Sequence, residues 1–181
     1  MLKPVLAAAL LLLPLAAAQA QNRENFRPGP VFPEFGPIAN VTTDLPVPAG
    51  AEFKVAFDIT AKATPGEISR SIETAGRFIN MHAAAGVPLD KIKVAIVVHG
   101  PAGVDFTKPE VFAKRSDGKA NGSMTAIAAL LAKGVQIHMC GQSATGQGLT
   151  SADLLPGVKM SLSAMTSHAL FQQQGYTLNP F

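Results

Sequence analysis

The chain has 181 residues, of which 48% are hydrophobic, and carries 15 lysines and arginines against 12 aspartates and glutamates. The charges form no run of five or more, tryptophan is absent and Tyr176 is the single tyrosine, which argues against a nucleic-acid-binding surface. The length fits one domain with a hydrophobic core, and one cysteine excludes an internal disulfide.

The first 20 residues have the pattern of a secretory signal peptide. Lys3 gives a basic start, residues 5–13 are apolar, and Ala18-Gln19-Ala20 fits an A-x-A cleavage site. The apolar stretch is shorter than the roughly 20 residues that a bilayer span needs. We therefore expect cleavage after Ala20, a periplasmic or secreted protein and no stable membrane anchor; an uncleaved anchor is the alternative.

Residues 21–50 predict a proline-rich extended arm. Six prolines interrupt any helix there, and Phe26, Phe32 and Phe35 are spaced through its first half. We expect these rings to pack on the domain or on a neighbouring subunit, and a disordered tail is the alternative. The chain is thus divided into a signal peptide (1–20), an arm (21–50) and one α/β domain (51–181).

Predicted strands and helices alternate through the domain. Residues 51–60 alternate polar and apolar, and residues 92–98 are a continuous apolar run typical of a strand buried on both faces. Three further strands are predicted at 135–140, 158–163 and 176–178, and four helices at 64–86, 109–114, 122–133 (with Asn121 as N-cap) and 164–173. This order predicts βαβ units: a parallel sheet with helices on both faces.

The cysteine lies at the end of a predicted strand, where α/β proteins place their ligand sites. Cys140 and His99 each end a predicted buried strand, and consecutive parallel strands usually lie side by side, so we expect the two residues to be close. His138 is two residues before Cys140 and shares its face of the strand, whereas Ile137 and Met139 point to the other face.

We expect nucleophilic chemistry at the carboxyl ends of these two strands, where Cys140 and His99 lie. A thiol reacts as its thiolate, which nearby positive charge or backbone N–H groups favour. Residues 141–143 either begin a helical turn that points N–H groups at the thiol or, being glycine-rich, belong to a loop. We expect catalytic roles for Cys140, His99 and His138, with an imidazole as general base or counter-ion. The substrate-binding residues are expected to be Gly100, Gly141, Gln142 and Ser143.

Structural roles for the same residues stay open. Cys140 can be a buried, inert thiol, and His99 and Ser143 can serve only to cap a strand end and a turn. His138 fits a satisfied core residue, and His168 lies on a predicted helix where a structural or exposed role is expected.

Metal and cofactor sites are not predicted. His99, His138 and Cys140 suit copper or zinc, but no fourth ligand is evident. Residues 141–146 miss the G-x-S-x-G nucleophile elbow by one position, and no dinucleotide-binding or P-loop motif is present. We therefore expect no cofactor.

Four segments together resemble the DsrE/DsrF-like family: VAIVVHG (94–100), GVQIHMCGQS (134–143), DLLPGV (153–158) and QGY (174–176). The resemblance covers residues 52–181. It implies an α/β/α sandwich around a mainly parallel sheet of about five strands, and a homo-oligomer, often a trimer or hexamer. Some relatives carry sulfur as a persulfide on the cysteine at the position of Cys140, and His99 matches a frequent family position.

Three functional hypotheses follow. In the first, the chain is a periplasmic sulfur-handling protein, a sulfurtransferase or sulfur carrier, in which Cys140 accepts sulfane sulfur from a donor protein and passes it to an acceptor. In the second, it is a non-catalytic oligomeric module that binds a small ligand or a partner at the same strand ends. In the third, it binds a metal. Sulfur-relay relatives are largely cytoplasmic, so an exported member needs other donors and acceptors.

Overall fold

The computed structural model describes residues 23–180, and the predicted signal peptide (1–20) lies outside them. Within the described part, no helix is both long and apolar enough to cross a bilayer. The strands are β1 (Phe26–Arg27), β2 (Ile38–Ala39), β3 (Phe53–Ile59), β4 (Ile92–Val98), β5 (Gln136–Cys140), β6 (Lys159–Ser161) and β7 (Thr177–Asn179). The α-helices are α1 (Arg70–Ala84), α2 (Pro109–Lys114), α3 (Met124–Ala132), α4 (Gly141–Gly146) and α5 (Ala164–Gln173).

Strands β3 to β7 form one sheet in the order β6-β5-β4-β3-β7, and every pairing in it is parallel. Strand β4 pairs with β3 along its whole length and with β5 over residues 95–98. The chain therefore runs outward from β3 through β4 and β5 to β6, and returns to the other side of β3 with β7. Such a reversal of strand order is where α/β sheets open a crevice for ligands.

Helices cover both faces of the sheet, which confirms the predicted three-layer α/β/α sandwich. Successive side chains of a strand point to opposite faces of the sheet, so alternate residues of each central strand pack against opposite helix layers. Phe57 and Ile96 pack with α1 and α3 on one face, whereas Ala56, Val97 and Cys140 pack with α5 on the other. Burial of each large side chain such as Phe57 stabilises the fold by about 1.5–3 kcal/mol.

Most element boundaries follow the prediction, but α1 begins at Arg70, six residues after the predicted start at residue 64, because residues 65–67 form a turn instead. Strand β4 and helices α2 and α5 span the predicted residues. Gly86, at φ +89°, follows the last residues of α1 and terminates the helix, as predicted. One cap differs from prediction. Ser123 occupies the N-cap position of α3, and Asn121 lies two residues earlier, where its Oδ1 accepts a hydrogen bond from the Ser123 N–H. Asn121 thus forms an Asx turn before the helix.

The first part of the proline-rich segment packs on α1. Phe32 and Phe35 are buried with ring centroids 4.7 Å apart, and Ile38 is buried beside them. The fully buried side chain of Asn80 accepts hydrogen bonds from the backbone of Val31 and Phe32, and its two N–H groups donate to the carbonyl oxygens of residues 32, 35 and 36, one of them shared between two carbonyls. Residues 40–50 are exposed. One amide of α1 therefore holds the turns of this segment in place.

Candidate thiol site

A cavity of about 320 Å³ opens at the carboxyl edge of the sheet, beside β3, where the strand order reverses. Cys140 at the end of β5 and His99 just after β4 both line it, as expected from neighbouring parallel strands. The remaining wall comes from β3, α4, the start of α5 and β7: Asp58, Gln142, Ser163, Ala164, Met165, His168 and Leu178.

Cys140 is the last residue of β5 and the N-cap of α4. The turn predicted after the strand is therefore helical, and its Ser143 N–H donates to the Cys140 Sγ atom over 3.5 Å. Burial of the thiol, which is 5% exposed, raises its pKa. Hydrogen bonds from Ser143, from the Ala164 N–H and from the Gln142 N–H outweigh burial, so the pKa of Cys140 lies below its ordinary value.

Ser143 also ties the two strand ends together. Its hydroxyl oxygen accepts the N–H of Gly100 over 3.0 Å, and the Gly100 carbonyl accepts the side-chain amide of Gln147 over 2.9 Å. Gly100 has φ +56°, a conformation that favours glycine. The loop after His99 is thus fixed against α4, which positions the imidazole and the thiol in one cavity wall.

Gly141 and Gln142 position the start of α4 against the neighbouring strand. A Cβ atom on Gly141 would lie 2.5 Å from the carbonyl oxygen of Ser161, so a side chain there requires β6 to move. Gln142 lines the cavity, and its amide donates to the Leu162 carbonyl over 3.3 Å. Direct substrate binding by these residues stays a prediction.

Asp58 at the end of β3 is held between two histidines. Its Oδ1 atom lies 3.1 Å from His99 Nε2 and 2.8 Å from His168 Nε2. Burial raises the pKa of Asp58, but the hydrogen bonds from His168 and His99 lower it more. The pKa of this carboxyl therefore lies below its ordinary value of 3.8. Both Nε2 atoms must carry a proton to donate to the carboxylate, which fixes the tautomer of each neutral ring.

The second nitrogen of His168 is buried without a partner. Within residues 23–180, no group hydrogen-bonds to His168 Nδ1. A buried polar atom without a partner costs about 1–3 kcal/mol, so such atoms are uncommon. In a ring that carries its proton on Nε2, this buried atom is a hydrogen-bond acceptor, and the His168 side chain lines the thiol cavity.

Sequence reasoning missed Asp58 and His168. Asp58 is a polar residue at the carboxyl end of a predicted strand, on the face opposite the alternating apolar residues, and that signal was available. His168 was expected to be structural or exposed because its helix gave no indication of what it faces. The pairing of the two joins residues 110 positions apart.

His138 shares the sheet face of Cys140, as predicted, but does not line its cavity. The His138 ring packs 4.8 Å from that of Phe171, and its Nδ1 lies 3.3 Å from the Ser167 hydroxyl. Burial, with a smaller effect of Lys159, lowers its pKa. The ring therefore favours the neutral state under α5.

The three residues considered as metal ligands are not gathered at one point. His138 lies outside the cavity that His99 and Cys140 line. Across residues 23–180, no group of three or more histidines, cysteines, aspartates or glutamates is arranged to hold a metal ion.

Comparison with known proteins identifies a family and a fold. A model of the DsrE/DsrF-like family matches residues 54–180. The crystal structure of the ychN protein from E. coli is 14% identical, with a TM-score of 0.51, over 71% of this chain and 99% of that chain. A protein of unknown function from Methanobacterium thermoautotrophicum, MTH1491, is 18% identical, with a TM-score of 0.48, over 72% of this chain and 100% of that chain. No curated protein matches.

Proposed function

The chain belongs to the DsrE/DsrF-like family, and we propose that it handles sulfur: Cys140 accepts sulfane sulfur, carries it as a persulfide and passes it to an acceptor. Some members of the family relay sulfur in this way on a cysteine at the same position. The proposal covers both a carrier and a sulfurtransferase, which share the same first step.

The convergence of hydrogen-bond donors on one thiol is the observation that carries the proposal. The Ser143 N–H in the first turn of α4 donates to the Cys140 Sγ atom over 3.5 Å, and the N–H groups of Gln142 and of Ala164, at the start of α5, further lower the pKa of the thiol. These groups stabilise negative charge on sulfur, and a terminal persulfide anion has the same need as a thiolate. A cysteine with only a packing role does not require them.

The transfer balances without an external oxidant. The Cys140 thiolate attacks the outer sulfur of a persulfide or polysulfide donor, a new S–S bond forms, and the donor's S–S bond breaks with both electrons leaving on the donor thiolate. With thiosulfate, the leaving group is sulfite. Transfer to an acceptor thiolate repeats the step in the opposite direction and regenerates the Cys140 thiolate.

Asp58, His99 and His168 are suited to hold the proton that this chemistry moves. Ionisation of the thiol releases a proton, and the leaving thiolate of the donor takes one up. The two imidazoles share one carboxylate, and both side chains line the thiol cavity. Their place in the cavity wall favours His99 and His168 over His138 for this role.

We also propose an exported homo-oligomer, a trimer or hexamer, that meets donor and acceptor proteins outside the cytoplasm. The signal-peptide pattern of residues 1–20 supports export. Exposed apolar side chains support association: Met165 (78% exposed) and Leu178 (47%) line the thiol cavity, and Leu162 (71%) immediately precedes the lining residue Ser163. We call these three side chains the apolar rim, and large exposed apolar patches usually mark interaction sites.

Assembly is tested by sedimentation of the purified protein. Leu162→Glu is expected to lower the oligomeric mass, because it places a charge in the apolar rim. Leu45→Glu is the matched control, since Leu45 is 87% exposed in a segment away from that rim. A monomeric wild-type protein would refute the proposed oligomer. Equal effects of both variants would show that the apolar rim is not the surface through which the subunits associate.

A non-catalytic binding module is the second candidate, and the 5% exposure of Cys140 favours it. In that case the cavity holds a small ligand or a partner and the thiol contributes only to the wall. The thiol would then resist alkylation until the protein unfolds.

Intact mass distinguishes the two candidates. The purified protein and its Cys140→Ser variant are incubated with polysulfide or with thiosulfate, and their intact masses are measured before and after reduction. A gain of one or more sulfur atoms, reversed by reductant and absent from the variant, is the expected result. No adduct on wild-type protein, together with a thiol that iodoacetamide reaches only in denaturant, would refute sulfur transfer and favour the binding module.

A further inference from the structure

A second cavity lies on the opposite face of the sheet from the thiol. It has a volume of about 430 Å³ and opens between the proline-rich segment and α1. Helix α1 packs on the face occupied by Phe57 and Ile96, whereas Cys140 belongs to the face covered by α5. The volume falls within the roughly 300–1,000 Å³ range of small-molecule sites.

Three arginines and one carboxylate line this cavity. Arg70, Glu73 and Arg77 lie on one face of α1, because residues three and four apart on a helix share a face. Arg27 approaches from the opposite wall, at the end of β1. The lining therefore has an excess of positive charge that a ligand with a negative group would neutralise.

Two of the arginines are held in place before any ligand arrives. The Arg77 Nε donates to the Pro37 carbonyl over 2.9 Å, and its guanidinium lies 5.6 Å from the centre of the Phe26 ring. The Arg27 Nε donates to Asn40 Oδ1 over 3.0 Å. A guanidinium has five N–H donors, so each keeps donors for a carboxylate or phosphate oxygen.

Arg70 differs from the other two. Within residues 23–180, no hydrogen bond or ion pair engages its guanidinium. It is exposed at the first position of α1, where the helix dipole also favours a bound anion. Its charge is available to a ligand at little structural cost, and its substitution is expected to leave the fold intact.

The wall opposite α1 is built by close packing. A Cβ atom on Gly36 would lie 2.5 Å from the backbone nitrogen of Arg77, and one on Gly29 would lie 2.1 Å from the Asn80 side chain. Glycine at these positions lets the proline-rich segment approach the helix, and the hydrogen bonds of Asn80 hold it there. The cavity is thus a consequence of a fixed chain path.

We infer that this cavity is a second ligand site, which binds a small organic acid through Arg27, Arg70 and Arg77. The carboxylate or phosphate of the ligand lies among the guanidinium groups, where bidentate hydrogen bonds are geometrically favoured. Its apolar part packs on Phe26 and on three proline rings, Pro28, Pro33 and Pro37. Inorganic phosphate alone would leave most of this volume and its apolar wall unfilled.

Calorimetric titration of the full chain with four probes tests the inference. Benzoate and phenyl phosphate are expected to bind saturably, benzamide (the neutral analogue of benzoate) is not, and inorganic phosphate is expected to bind more weakly than phenyl phosphate. Arg70→Gln is expected to weaken benzoate binding about tenfold, the effect of one charge-assisted contact. Lys119→Gln, which removes an exposed charge outside the cavity, is the matched control.

Three outcomes would overturn the inference. The first is no saturable binding of benzoate or phenyl phosphate. The second is equal weakening by Arg70→Gln and Lys119→Gln, which indicates a general charge effect. The third is loss of binding in Cys140→Ser, which would place the anion in the thiol cavity. Circular dichroism of each variant verifies that the fold is retained, and Arg27→Gln provides an independent second variant.

Discussion

Removal of the Ser143 hydroxyl should change the reactivity of Cys140 in a way that reverses with pH. In Ser143→Ala the backbone N–H that reaches Cys140 Sγ over 3.5 Å remains, and the contribution of the hydroxyl, which lowers the pKa of the thiol, is lost. The Gly100 N–H loses its acceptor at the same time. We therefore expect the pKa of the thiol to rise, because fewer donors then offset its burial.

The size of the effect follows from the lost contact. A hydrogen bond to a charged group contributes about 1.5 kcal/mol at the lower end of its range, so below the pKa the thiolate fraction should fall about tenfold. A thiolate of higher pKa is more nucleophilic by about threefold for such a change. At low pH the variant should therefore react about threefold more slowly than wild type, and at high pH, with both fully ionised, about threefold faster.

The assay is the rate of iodoacetamide alkylation across pH, read by intact mass. Thr145→Ala is the matched control, because it removes an exposed hydroxyl from the same helix, away from the cavity. The two curves of wild type and Ser143→Ala should cross, and the control should follow wild type. Superimposable curves would refute a role for the hydroxyl, and a variant that is slower at every pH would indicate altered access instead.

Three further changes test the electrostatics and the packing. The pKa of Asp58 is lowered in the folded state, so its carboxylate stabilises the fold at pH values above the pKa of the unfolded chain, and this stabilisation is lost on acidification. In urea unfolding, the difference in the free energy of unfolding between wild type and Asp58→Asn should shrink as the pH falls from about 5 to about 2. A constant difference would contradict the role of the carboxylate. Burial raises the pKa of Asp105 to about 6, so the folded state binds the proton of this carboxyl more tightly than the unfolded chain does. The free energy of unfolding of wild type should therefore fall as the pH rises from about 4 to about 6, and Asp105→Asn should lack this fall. Identical pH profiles for the two proteins would refute the raised pKa. Asn80→Ala removes the amide that contacts five backbone groups and should lower the free energy of unfolding by about 3 kcal/mol and expose residues 23–39 to proteolysis. Alkylation of Cys140 in folded Asn80→Ala should stay unchanged because the thiol lies across the sheet, and a loss of reactivity would show that the two faces are coupled.

The sheet was predictable because its signals are local. A continuous apolar run predicts β4, because a strand that is buried on both faces has apolar residues at successive positions. The alternation of residues 51–60 predicts β3, because successive side chains of a strand point to opposite faces of the sheet. Gly86 and Gly175, both at positive φ, mark helix ends for a reason that needs no tertiary contact. The adjacency of β4 and β5 followed from chain connectivity, and with it the approach of His99 to Cys140.

The helical start after Cys140 was only half predictable. Gly141, Gly146 and Gly148 weaken helix propensity, so the sequence left both a helical turn and a loop open. Tertiary contacts decided the matter. Gly141 allows close approach to β6, and the Ser143 hydroxyl accepts the Gly100 N–H from a different strand end.

By itself, the sequence determined the order of strands and helices, the sheet edge that bears the thiol and the family to which the chain belongs. Each of these depends on periodicity, chain connectivity or motifs within short segments. Only the tertiary structure joined Asp58 to His99 and His168, moved His138 away from the cavity, and closed an arginine-lined cavity against α1. Those arrangements depend on where side chains from distant segments point, and a side chain's direction is fixed by packing against residues that the local sequence does not specify.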